Sequence, residues 1–257
     1  MNFKSRIIII HNLINQKKFS EALTRCQNLT KKFTNNSYLL NLQGLILQNI
    51  GQTKKSIQYF QKAIFIEEDN YAAKNNLANA YKNLSKFKEA ESLYKEIIRD
   101  NSKNVKALNN YANLKREFNQ YKKAKELLLK AIKIDPENIY ILLHLAMCCQ
   151  GIGESNEAKN YILKLLSIDP KNTSAHKLLS TLIDYNKDQE HFKKMNELIN
   201  KEVFKKFTSK QKTELLFALS KAYEDIKDFE SSFNFLEQAN LIENQSNRQE
   251  IKNIKKL

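Results

Sequence analysis

The residues whose spacing could support recognition chemistry in this sequence are asparagines. Asn41, Asn75 and Asn109 recur at a step of 34 residues, Asn79 and Asn113 share that step, and Asn76 and Asn110 repeat it beside them. Lys82, Lys106 and Arg116 add positive charge to the same stretch. A side-chain amide carries both donor and acceptor, so each Asn can pair with one peptide unit of an extended ligand. Such a ladder would grip main chain and tolerate variation in the ligand's own side chains. Further along, Tyr140, His144 and Met147 replace the amides with an aromatic–thioether patch that could take an apolar side chain. Each reading has a plain competitor. Asn makes up 31 of 257 residues, so composition and duplication also produce aligned Asn, and a helical Met is commonly packing.

Catalysis has no comparable candidate. Gly44, Gly51, Gly151 and Gly153 are the only glycines, too few and too dispersed for a phosphate-cradling loop. No nucleophile elbow, zinc-protease helix or paired Cys/His ligand spacing occurs. His11, His144, His176 and His191 are scattered along the chain and form no metal-ligand pattern, while Glu67, Glu68 and Asp69 sit together in a polar turn. The chain is therefore read as non-enzymatic, without metal or cofactor.

Composition narrows the setting. The formal charge of +15 comes mostly from Lys, with Arg only at positions 6, 25, 99, 116 and 248. Phosphate readers favour the planar donor fork of Arg, so the lysines are read as solvated helix faces rather than a nucleic-acid surface. Cys26, Cys148 and Cys149 fall on apolar helical stripes with no disulfide or zinc spacing. Lys4 and Arg6 precede an apolar run, Ile7 to Ile10, that His11 and Asn12 end after four residues, too short for a signal core or a membrane span. A reduced, cytoplasmic, non-membrane protein is expected.

The elements that would position the amides follow from a period of 34. Asn36, Asn70, Asn104, Asn138 and Asn172 share it, as do Ala22, Ser56, Ala90, Ala124 and Ala158, and Gly44, Ala78, Ala112, Ala146 and Ser180. Small residues at fixed places allow two helix backbones to approach closely. Large residues fill the complementary slots: Leu40, Leu108 and Leu142 on the first helix, and Phe60, Tyr94, Leu128 and Ile162 on the second, with Ala63, Ile97, Ala131 and Leu165 three residues later. Spacings of three and four give one apolar face per helix. Gly51 and Gly153 mark the turn inside a repeat, Pro136 and Pro170 stop the second helix, and the periodic Asn is placed to cap the next first helix.

This pattern resembles the tetratricopeptide (TPR) repeat family, most clearly in residues 71–104 and 105–138. The resemblance covers nearly the whole chain, although the family's characteristic Trp is absent. It implies an all-α, right-handed superhelical solenoid of helix-turn-helix hairpins. Five regular repeats are placed at 3–172, an irregular sixth with an insertion at 173–212, and a seventh at 213–246. The tail, 247–257, reads either as a cap on the open end or as the place where a downstream domain was lost or never built. The stripe through Ala72, Asn75, Asn79 and Lys82, opposite Lys74, Ala78 and Tyr81, would line the concave groove that takes extended partner segments. The amide rows resemble the asparagine ladders of TPR arrays attached to glycosyltransferases. The carboxylate clamp of chaperone-binding members is matched only by Asn76 and Lys106, so a dedicated chaperone receptor is not expected. The segment 217–242 resembles the last repeat of bacterial TPR-linked sulfotransferases, without the phosphosulfate-cradling loop such an enzyme needs. A protein or peptide partner is thus expected, the alternative being a non-catalytic, substrate-presenting arm of a covalent or adjacent transferase domain.

Overall fold

A helix leaves its first backbone N–H groups without partners, and in this chain the same side chain supplies the missing acceptor six times. Asn2, Asn36, Asn70, Asn104, Asn138 and Asn172, each 34 residues after the last, accept from the backbone N–H three residues ahead at 2.9–3.2 Å. The computed structural model describes the backbone of residues 2–200 and 202–254 and the side chains as far as residue 247. Among these residues there are fifteen α-helices and no strand. No helix among them is long and apolar enough to cross a membrane.

The chain divides into two compact units, residues 1–134 and 135–257. The first holds four hairpins: α1 (Phe3–Asn15) with α2 (Phe19–Lys32), α3 (Ser37–Asn49) with α4 (Thr53–Ile66), α5 (Tyr71–Asn83) with α6 (Phe87–Asp100), and α7 (Val105–Glu117) with α8 (Tyr121–Ile134). Within it each second helix also packs on the next first helix, α2 on α3, α4 on α5 and α6 on α7. The core is consequently a seam passed between neighbours rather than one central cluster. Ile10, Leu13, Ala22, Cys26 and Leu29 share a cluster with Leu39, Leu42 and Ile46, and Phe60 packs with Leu77 and Ala80.

Close helix approach explains the small slots. Ala22, Ser56, Ala90, Ala124 and Ala158 are fully buried, as are Phe60, Tyr94, Leu128 and Ile162 four residues beyond the later four. A Cβ built on Gly44 would lie 2.4 Å from Cε1 of Phe60, so glycine is required there by the ring of the opposing helix. Cys26, buried in the first seam, is a packing thiol whose pKa burial pushes up to about 12.

Gly51 and Gly153 lie in the turns inside their hairpins as expected, and the other turns take the same backbone without glycine. Lys17, Gly51, Ser85, Asn119 and Gly153, spaced by 34, all adopt the left-handed region with φ between 55° and 83°, as does Lys227 with φ 64°. The following N–H reaches back to the carbonyl five residues earlier, Lys86 to Tyr81 and Gln120 to Lys115 at 2.9 Å, which closes the first helix in a Schellman turn. That bond holds Lys, Ser or Asn in a conformation L-residues otherwise avoid.

The second unit comprises α9 (Ile139–Gly151) paired with α10 (Ser155–Ile168), then α11 (Thr173–Ser180), α12 (Gln189–Ile199), the short α13 (Glu202–Lys206), and α14 (Ser209–Asp225) paired with α15 (Phe229–Ile254). The sixth repeat loses register because α11 stops at Ser180, after eight residues instead of thirteen. A turn built on Asp184, whose carboxylate accepts the backbone N–H of Asn186 at 3.0 Å, follows it. The segment before the seventh repeat is not a simple insertion: Thr208 and Gln211 form a capping box that starts α14 at Ser209. The tail is not a separate capping helix, because α15 continues without a break to Ile254. One uninterrupted helix cannot fold back over its own exposed face. Side chains beyond residue 247 lie outside the described residues.

Two substitutions check this architecture in thermal or denaturant melts. Ala90→Phe wedges α5 from α6 and is expected to cost about 1–3 kcal/mol by overpacking. Ser85→Gly releases the left-handed backbone strain at a small entropic loss and is expected to stabilise by about 0.5–1 kcal/mol.

Candidate functional site

The amides of repeats two to four lie on α3, α5 and α7, and the structure pairs them across the repeats. Asn76 Nδ2 donates to Asn41 Oδ1 at 2.9 Å, and Asn110 Nδ2 donates to Asn75 Oδ1 at 3.1 Å. Adjacent residues on a helix point about 100° apart. On α5, accordingly, Asn76 reaches the preceding first helix and Asn75 the following one. Asn75 is 1% exposed and Asn76 6%, so neither lies on an open ligand-facing stripe. They are struts that tie first helices together. Asn75 Nδ2 is the one buried side-chain polar atom without a hydrogen-bond partner among the described residues.

The remaining expected residues sit around these struts. Asn79 accepts from the hydroxyl of Tyr94, a buried phenol on α6 whose pKa burial raises. Lys82 pairs with Glu117 at 2.8 Å, and Arg116 Nη1 donates to Asn113 Oδ1 at 2.9 Å. Lys106 is exposed, while Asn41, Asn109, Asn110, Asn113 and Arg116 are half-buried. Tyr140, 67% exposed, and half-buried His144 lie on α9 in the second unit. Lys74, assigned to packing from its spacing, is buried and held by Glu96 at 2.6 Å. Lys115 bonds Glu91 at 2.9 Å, and Tyr111 donates to the same carboxylate at 2.8 Å. Burial alone would raise Glu91, but hydrogen bonds from Lys95, Lys115 and Tyr111 outweigh it and hold its pKa at about 2. These pairings neutralise several of the lysines that give the chain its formal charge.

A second polar cluster was hidden from the sequence. The scattered His176 and His191 meet in unit 2, where Nδ1 of His176 lies 2.8 Å from Nε2 of His191. Nε2 of His176 is 3.0 Å from the Pro170 carbonyl, and Nδ1 of His191 is 2.7 Å from the Tyr185 hydroxyl. One assignment satisfies all three contacts: Tyr185 donates to His191, His191 donates to His176, and His176 donates to Pro170, with both rings neutral. The imidazoles line a pocket of about 510 Å³ with an apolar floor of Leu163, Leu166 and Leu179 and a rim ion pair, Lys159–Asp188 at 3.3 Å. His176 occupies the slot of Leu40, Leu108 and Leu142, and a His in that slot was the available signal. His191 falls where the period is lost, so nothing marked it. All four ring nitrogens lie in this chain of contacts or buried against it, which leaves the pair unsuited to chelation. Cys149, Glu154 and Glu157 bring ligand-type atoms within 4.8 Å. The Cys149 thiol donates to Glu157 at 3.4 Å, an arrangement that internal bonding already accounts for.

Comparison with known proteins agrees with the repeat architecture. A model described as Tetratricopeptide repeat matches residues 115–182, and another so described matches 37–70 and 213–246. A model described as YpiA-like, C-terminal tetratricopeptide repeats, matches 72–138. No curated protein matches the chain. Among solved structures, Pseudomonas aeruginosa pilF superposes with a TM-score of 0.63 at 21% identity, covering 79% of this chain and 90% of that one. A tetratricopeptide repeat protein from Parabacteroides merdae gives 0.63 at 16% identity, covering 93% and 92%. YrrB, described as a TPR protein with an unusual peptide-binding site, gives 0.52 at 15% identity, covering 81% and 96%. At these identities the likeness is one of fold.

The imidazole pair sets part of the acid behaviour of unit 2. Burial first, and then the neighbouring His176, lower the pKa of His191 from 6.5 to about 3. Between those values the unfolded chain holds the extra proton, so stability falls as the pH drops from 6.5 toward 3. Denaturant melts across that window should show this slope, and His191→Phe should flatten it whatever its effect on absolute stability.

Proposed function

The chain belongs to the tetratricopeptide repeat family, and from that membership and the layout of α3, α5 and α7 we propose that it is a non-catalytic scaffold that takes an extended protein segment across those first helices. The observation that carries the reading is the set of amide pairs between successive first helices. They hold Asn79 and Asn113, and Lys82 and Arg116, at the period of the repeats, with Lys106 nearby in sequence on α7. Regularly spaced donors and acceptors suit the main chain of an extended ligand, whose carbonyls and N–H groups also recur at a fixed interval. The lysine and arginine of the surface favour a segment bearing carboxylates, by charge-assisted hydrogen bonds. YrrB supplies a fold-level precedent, since its structure is described as having a peptide-binding site.

The alternative, a substrate-presenting arm of a transferase, rests on residues 217–242. In the structure these form the end of α14 and the first half of α15. Polar groups of that hairpin, Ser220 with Ser232 and Lys221 with Asp225, bond to one another, so peptide capture is preferred.

Peptides selected from a displayed random library on the wild-type chain are the direct probe. Lys106→Ala, Asn113→Ala and Arg116→Ala together should weaken them by about tenfold or more, since hydrogen bonds to charged groups contribute about 1.5–3 kcal/mol each. The thermal melt should be nearly unchanged, because these side chains are exposed or half-buried. Undiminished binding by a folded triple variant would remove the groove assignment.

A further inference from the structure

Inside unit 1, each second helix buries a stripe against the hairpin that follows. On α4, Ile57, Phe60 and Ile64 pack against Leu77 and Tyr81 of α5, in a cluster that also takes in Leu93 of α6. On α6, Phe87 and Tyr94 meet the next first helix and its C-cap: Phe87 lies edge-on to Phe118 at 4.9 Å, and Tyr94 stacks on Tyr111 at 6.0 Å. The matching positions on α15, aligned by the small slot at Ser56, Ala90 and Ser232, are Phe229, Phe233, Leu236 and Asn240. No helix covers them among the described residues. Phe229 and Phe233 are each 65% exposed, and Leu236 is 38% exposed where Phe60 and Tyr94 are fully buried.

The complementary half of this interface is open on the first hairpin. Arg6, Ile9, Ile10, Arg25 and Leu29 lie two repeats before Lys74, Leu77, Ala78, Leu93 and Ile97, a seam that α4 adjoins through Leu77 and Leu93. On α1 and α2 those positions instead line an open pocket of about 570 Å³, with Ile9, Ile10 and Leu29 as its floor and Arg6, Arg25 and Lys32 on its rim. The two open faces also differ in charge. Residues 3–32 carry seven Lys or Arg against one Glu, whereas residues 229–247 carry Glu230, Glu237 and Glu243 with no Lys or Arg. All three glutamates are exposed and flank the Phe229–Phe233–Leu236 stripe.

We infer that the chain associates head to tail, the α15 stripe of one copy entering the α1–α2 pocket of a second. Phe233 and Leu236 then take the places that Ile57 and Phe60 hold inside unit 1, and Glu230 and Glu237 face the Arg6–Arg25 rim. The contact is heterologous, so each pairing leaves one free end on either copy for further addition. Because opposite charges rim an apolar contact, salt weakens the association without abolishing it.

Sedimentation of the purified chain over a concentration series tests the inference. Apparent mass should rise with concentration, pass beyond two copies, and fall as salt is added. Phe233→Glu disables the tail, and Arg6→Glu with Arg25→Glu disables the head. Each variant alone should sediment as a monomer, and their mixture should form a one-to-one complex through the surviving pair of ends. Circular dichroism establishes that both variants are folded, and the wild-type salt series stands if one of them is not. A wild type that stays monomeric at every concentration overturns the inference. So does a folded head variant that still self-associates, which would point to a symmetric α15 contact, or a pair of folded variants that fail to combine.

Discussion

Where the ring of Phe60 lies against the Cα of Gly44, two helices pass so closely that a single methyl group would collide with it, and the equivalent slots of the following repeats hold alanine or serine. A hairpin closed in this way still has an apolar face on either side, too large for a pair of helices to bury alone. Stacking is the solution, and it makes stability a sum of neighbour contacts rather than the property of one core. The remaining features depend on the angle and spacing that this closure sets. The Asn caps begin each first helix at one height, the left-handed turn returns the second helix beside it, and the side chains that meet the next repeat are thereby placed in register.

The seams between hairpins contain more than apolar packing. Glu91 is held by Tyr111 and Lys115 of the next first helix, while inside one hairpin Lys74 is buried with Glu96. Removing one partner of such a pair would leave a charge without compensation, so these seams specify which faces meet as much as they add stability. The amide pairs Asn41–Asn76 and Asn75–Asn110 work similarly without net charge. An array made this way has a shortage at its ends, where the same faces have nothing within the described residues to bury them. The surfaces of α1–α2 and α15 inherit both their apolar character and their charge from that shortage.

Much of the fold was legible because its determinants are local. The 34-residue recurrence of Asn located each cap, since an N-cap bond spans only three residues. Alanine and serine slots identified the hairpin contact, since spacings of three and four fix a helix face. The turns were only partly legible: Gly51 and Gly153 announced themselves, whereas Lys17, Ser85, Asn119 and Lys227 accept a left-handed backbone that their types do not favour. For the site, aligned Asn rows were visible, but the separation into struts and open groups was not. Asn75 and Asn79 differ by one helical turn, yet one is tied to the next repeat and the other to a tyrosine hydroxyl of its own hairpin.

The sequence by itself determined the repeat length, the hairpins, their caps and close-packing slots, and the absence of a recognisable catalytic motif, because each depends on residues a turn or two apart. Tertiary structure decided which amides are buried between first helices, how His176 and His191 join Tyr185 in one hydrogen-bonded chain, and where the sixth repeat breaks its period. These depend on the rotation and offset of helices brought together from 15 to 35 residues away. A rotation of about 100° exchanges one residue of a helix for its neighbour, and only the packed neighbours fix that rotation.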